Sequence, residues 1–144
     1  MNCGLAAPNL VCICVDHASD SNVEGRLYHY YAEEPETVKD AMQLLRRLEQ
    51  FYDDIDFPQA AEQFRNFVSS AKENRKRKEL PKPVKDRDFL MNQSGTRATF
   101  FLHVQYRQNA TWQGQIMWKE KNKSLEFRSA LELLVLLDNA LNAK

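Results

Sequence analysis

The chain is poor in the residues from which reactive loops are built: 144 residues include four glycines, five prolines, three histidines and three cysteines. It contains no G-x-x-x-x-G-K-[ST] loop and no G-x-G-x-x-G turn, which removes the common backbone cradles for a nucleotide phosphate. The odd number of cysteines (Cys3, Cys12 and Cys14) is not a disulfide framework and suits a reducing compartment. No segment approaches the ~18 consecutive apolar residues of a membrane-spanning helix. The stretch Met1 to Asp20 has no basic residues ahead of its short apolar run. No signal peptide is therefore read, and a cytoplasmic location with no membrane partner is expected. In that setting Asn92-Gln93-Ser94 and Asn109-Ala110-Thr111 read as accidental matches to the glycosylation pattern.

What is present is a globular composition, 43% hydrophobic and 28% charged. A single domain spanning residues 1–144 is expected, since a chain of this length buries roughly 70% of its unfolded surface without disulfides or metals. The net charge of zero conceals an asymmetry. Residues 1–71 carry 5 basic against 12 acidic side chains, residues 72–88 carry 8 against 4, and residues 89–144 carry 7 against 4. The organisation expected is an acidic half over 1–71, a basic linker over 72–95 and a second half over 96–144.

Periodicity supplies the elements. Leu10 to Asp16 reads as a β-branched strand and Gly25 to Tyr31 as its partner. Glu33 to Glu36, with Pro35, reads as the acidic entry to a helix over about Thr37 to Asp54, apolar at Val38, Ala41, Met42, Leu45, Leu48 and Tyr52. A second helix is expected after Pro58, with Ala60, Ala61, Phe64, Phe67, Val68 and Ala71 on one stripe. Residues 72–94 lose periodicity, and Pro81 and Pro83 point to an extended, exposed linker.

The last third is the clearest. Phe100, Leu102, Val104 and Tyr106 alternate, a polar turn follows at Gln108 to Thr111, and Trp112, Ile116 and Trp118 continue on a second strand. A short third strand precedes a Ser129–Glu132 capping box and a helix that is apolar nearly all round. Gly114 reads as a position where a helix approaches the strand. The fold expected is α+β, ββαα-βββα, with an antiparallel sheet of about five strands. A shift of 89 residues lays Gly25 on Gly114, Ala41 on Ala130, Leu44 on Leu133 and Leu48 on Leu137, which suggests a repeated hairpin–helix unit sharing one sheet.

The string from Gln105 to Gly114, continued by Phe127-Arg128-Ser129-Ala130-Leu131-Glu132-Leu133, resembles a family of small uncharacterised bacterial proteins. In those, a Trp-Gln-Gly strand precedes a Phe-Arg-Ser-x-Leu-Glu-Leu helix start. The likeness covers about the last 50 residues well and the Gly25 to Tyr52 region more loosely. It implies a compact, soluble bacterial protein and attaches no activity, cofactor or catalytic residue.

Chemistry-bearing residues are sparse. Cys12-x-Cys14-x-x-His17 is the nearest approach to a metal motif, but one residue separates the cysteines where zinc pairs use two to four, and no second pair exists. A cysteine nucleophile with His17, His29 or His103 as base lacks an adjacent glycine turn or helix start to hold an oxyanion. Asp53, Asp54 and Asp56 lack EF-hand spacing. No catalytic residue, metal ligand or cofactor is expected, and no enzyme.

Two interaction readings follow. The first is a non-enzymatic regulatory or protein-interaction protein, self-associating or bound to a partner. Its acidic half would dock a basic surface, and its apolar final helix would be covered. The alternative is nucleic-acid binding through Arg75, Lys76, Arg77, Lys78, Lys82, Lys85 and Arg87, with Phe101, His103 and Arg107 stacking bases if their strand face is open.

Overall fold

The computed structural model describes residues 7–19, 22–55, 57, 80–108 and 111–142. Among them run β1 (Val11–Ser19), β2 (Asn22–Tyr28), β3 (Glu36–Val38), α1 (Ala41–Ile55), α2 (Arg87–Met91), β4 (Ala98–Gln108), β5 (Thr111–Trp118), β6 (Lys123–Phe127) and α3 (Ala130–Asn142). The strands form one antiparallel sheet of six, in the order β3-β2-β1-β4-β5-β6. The α+β class is as the sequence implies, with one strand more than expected. The extra strand is β3, which occupies residues assigned to the start of the first helix. That helix begins later because Asp40 caps it. Asp40 Oδ1 accepts from the Gln43 amide at 2.7 Å, and Gln43 Oε1 accepts from the Lys39 amide at 2.7 Å. The helix expected after Pro58, the basic cluster Arg75 to Lys78, and Cys3 lie outside the described residues.

The strand order reads the same from either edge if the halves are exchanged, and the 89-residue shift holds throughout. It carries β1 onto β4, β2 onto β5, β3 onto β6 and α1 onto α3. In the central ladder Cys12 pairs with Phe101, its own counterpart, so a pseudo-twofold axis passes through that pair. Local irregularities repeat as well. The first hairpin has a bulge between Val15 and His17 and the second between Val104 and Tyr106. Ser129 Oγ accepts from the Glu132 amide at 3.0 Å while Glu132 Oε1 accepts from the Arg128 amide at 2.9 Å, matching the Asp40 and Gln43 cap.

Both faces of the sheet are covered at its central strands, which explains why β1 is buried on consecutive residues from Val11 to Val15 rather than alternate ones. Val11, Ile13 and Val15 join Phe100, Leu102, Val104 and the inner sides of α1 and α3 in the larger core. Leu10, Cys12, Cys14 and Phe101 face the other way, beneath Tyr28, Tyr30 and Leu90 of α2. Part of the expected linker is therefore structural. Residues 80–83 are exposed, but Leu90 is fully buried and Asp86 caps α2 by accepting from the Phe89 amide at 2.9 Å.

Gly114 is needed for a reason other than a nearby helix. A Cβ there would lie 2.0 Å from the His103 carbonyl oxygen of the adjoining strand, and one at Gly25 would lie 2.0 Å from that of Cys14. Each glycine sits opposite the bulge of its hairpin, where backbone meets backbone. Gly25→Ala and Gly114→Ala are each expected to lower stability by about 3 kcal/mol, read as a fall in the urea midpoint at unchanged slope.

Candidate interaction surface

The residues offered by the sequence as chemistry are divided between separate places. Cys12 and Cys14 are fully buried on the α2 side, their sulfurs 3.7 Å apart, a thiol–thiol contact rather than a bond. The hydrogen bond between them and burial push the Cys12 thiol far up. The same hydrogen bond, helped by the nearby Arg26 guanidinium, holds Cys14 below the usual thiol value. His17 lies beyond the bulge and is exposed. His29 belongs to the opposite face, its ring stacked on Phe51 at 4.2 Å and its Nδ1 accepting from the Tyr31 amide. No group of three or more His, Cys, Asp or Glu side chains converges among the described residues.

The open strand face suggested by Phe101, His103 and Arg107 does not form. Phe101 is buried under the α2 segment. The bulge between Val104 and Tyr106 reverses the alternation, so Arg107 emerges on the helix side, 4% exposed. There its guanidinium donates to Asp53 at 2.7 Å, to Glu49 at 3.4 Å and to the Tyr52 carbonyl at 3.4 Å, tying β4 to α1. Of the basic residues offered for nucleic-acid contact, Lys82 and Arg87 are described and exposed, while Lys85 Nζ lies 4.5 Å from the centre of the Phe89 ring. The amides of Val84 and Lys85 donate to the Tyr30 carbonyl, fixing this stretch along the sheet.

Asp16, the extra residue of the first bulge, anchors the return of the chain. Its carboxylate receives both Arg26 Nε and Nη2 at 3.1 Å and the Thr96 amide at 3.0 Å. Burial works against its charge, but these donors outweigh it and hold the carboxyl below the ordinary range. Lys119 closes the same corner by donating to the carbonyls of Met91 and Gln93 at 2.9 Å. These are scaffold contacts, and they satisfy the ions they contain.

Large apolar side chains are exposed at Met42 of α1, at Leu80 and Val84 ahead of α2, and at Tyr106, Leu125, Leu131 and Val135, so most of them lie in the second half. On α3, Leu131 is 71% exposed and Val135, one turn on, 48% exposed. Leu125 of the edge strand β6 is 57% exposed. Between β5, β6 and α3 lies an open groove of about 230 Å³ lined by Phe100, Ile116, Trp118, Leu125, Leu136 and Ala140, with Lys123 and Asn139 at its rim. Trp112 and Trp118 both join the larger core, but differently. Trp112 is buried edge-on against Tyr52 at 5.6 Å, while Trp118 packs on Phe100 and leaves one side to the groove. Alternation marked the apolar strand and helix faces. The absence of a filling side chain at Ala140 becomes apparent only once the helix lies on the sheet.

His29 provides a pH readout for the packing around Phe51. Burial lowers its pKa from 6.5 to about 4, only partly offset by Asp54. The unfolded chain therefore takes up a proton first. Stability present above pH 6.5 should fall as the pH drops toward 4 and level off below, by at most roughly 3 kcal/mol from this group. Urea titrations across that range should show the loss, and His29→Gln should flatten it. An unchanged slope in the variant would assign the loss to other groups.

No family model, curated protein or solved structure matches the chain.

Proposed function

We propose that this is a non-enzymatic protein-interaction module, regulatory in character, that associates through the outer surface of its second half. One observation carries the reading: Leu131 and Val135 stand in solvent one helical turn apart, on a helix whose inner side is already supplied with Leu133, Leu137, Ala140 and Leu141. Apolar residues at those two positions are not required by the fold, and large apolar side chains exposed together mark contact surfaces. The acidic side chains of the first half favour a partner with a basic face, because opposite charge steers encounter. Glu33, Glu34, Glu49, Asp53 and Asp54 are all exposed there.

The test is association of the full chain, by light scattering for self-association and by affinity capture for a partner. Leu131→Lys with Val135→Lys should weaken association about tenfold or more and leave the melting temperature nearly unchanged, since both residues are already exposed. Association untouched by the pair would sink the proposal. Retardation of RNA or DNA that disappears when Lys82, Lys85 and Arg87 become alanine would transfer the interaction to nucleic acid.

A further inference from the structure

The two halves share one plan, so the places where they differ can be read as departures from a common solution. In the first half, Phe51 of α1 closes the gap between helix and sheet by stacking on His29 at 4.2 Å and is itself buried. The 89-residue shift lays Phe51 on Ala140 and His29 on Trp118. The second half thus provides a larger ring on the sheet and removes the ring that would cover it. What remains is the groove of about 230 Å³, and a cavity of about 150 Å³ already accepts benzene.

The walls of this groove are built for an apolar occupant. Where the first half has Glu36 and Arg47, the second has Leu125 and Leu136, both lining the groove. Trp118 Nε1 is buried with no hydrogen-bond partner among the described residues. Along the groove runs β6, and no described strand pairs with its outer edge. Lys123 and Leu125, two residues apart on that strand, both face the groove. Lys121 Nζ lies 5.9 Å from the centre of the Trp118 ring, placing a second cation at the same end.

We infer that the groove beside Trp118 receives one aromatic side chain of an extended, acidic segment of a partner protein, which adds as a strand to the outer edge of β6. The inference rests on the protein-interaction reading and concerns the second half alone: the partner's acidic segment meets Lys121 and Lys123 there, while its basic face meets the acidic side chains of the first half. Main-chain hydrogen bonds to the strand edge supply affinity, and the groove selects the side chain. The phenyl or indole ring covers Trp118 as Phe51 covers His29. Carboxylates on either side of it meet Lys121 and Lys123, in a contact weakened by salt.

The experiment selects phage-displayed random nonapeptides on the immobilised full chain, then measures a synthesised winner by tryptophan fluorescence. Enrichment of a single Phe, Tyr or Trp flanked by Asp or Glu, with a blue shift of tryptophan emission, is the expected result. Ala140→Phe fills the groove as the first half does and should keep the melting temperature while weakening the peptide about tenfold or more. Lys123→Glu, a surface change independent of that packing, should weaken it about threefold to tenfold. No enrichment, winners without an aromatic residue, or binding indifferent to both variants would overturn the inference. If peptide binding ignores both variants while Leu131→Lys with Val135→Lys still weakens association, the inference fails and the interaction reading stands; if association also ignores that pair, both fail.

Discussion

The ladder between β1 and β4 is the contact on which the other elements depend. It joins two units, each a hairpin, a short edge strand and a helix, into one six-stranded sheet. Neither unit alone would have a covered inner strand, because β1 and β4 each bury one edge only by pairing with the other. The pair at the pseudo-twofold axis, Cys12 and Phe101, faces α2 and is buried with it. On the opposite face the neighbouring residues Val11, Ile13, Phe100 and Leu102 form the floor under both long helices. Burial on both faces of these central strands makes their register strongly specified, since a one-residue slip would exchange the two cores.

The bulges set what the two faces present. Each inserts a residue opposite a glycine and re-aims the strand beyond it, and each half then uses the turn differently. In the first, Asp16 gathers Arg26 and the Thr96 amide and so fixes the chain returning from α2. In the second, Arg107 swings under α1 and is held by Asp53 and the Tyr52 carbonyl, with Trp112 packed beside it. The positions equivalent to Arg107, Trp112 and Tyr52 are Ala18, Val23 and Leu141, and these line a cleft of about 200 Å³ between the first hairpin, α1 and α3. Shared features thus carry the fold, while the substitutions between halves create the clefts and put Leu125 and Val135 in solvent where the first half has Glu36 and Arg46.

Several of these features were legible in the residues. The alternation from Phe100 to Tyr106 and the Ser129–Glu132 cap both appear in place, and the shift that aligned Gly25 with Gly114 extends to every long element. The failures have local causes. β3 has only three residues, too few for a period to register, and Asp40 rather than the acidic run before it opens α1. α2 has five residues inside a stretch rich in proline and charge. The face proposed for Phe101, His103 and Arg107 assumed unbroken alternation, which a bulge invisible in the side-chain pattern interrupts.

By itself, the amino-acid order determined the elements whose signals are local: strands that alternate, helices that cap and repeat, and two halves with one plan. It also determined the charge imbalance, which is a matter of counting. Tertiary structure alone decided which side of the sheet each residue meets, because that depends on bulges and on strands paired across 89 positions. It also decided that Ala140 would leave a groove where Phe51 fills one. A missing side chain has no consequence along the chain, and becomes a cavity only when another element is laid over it.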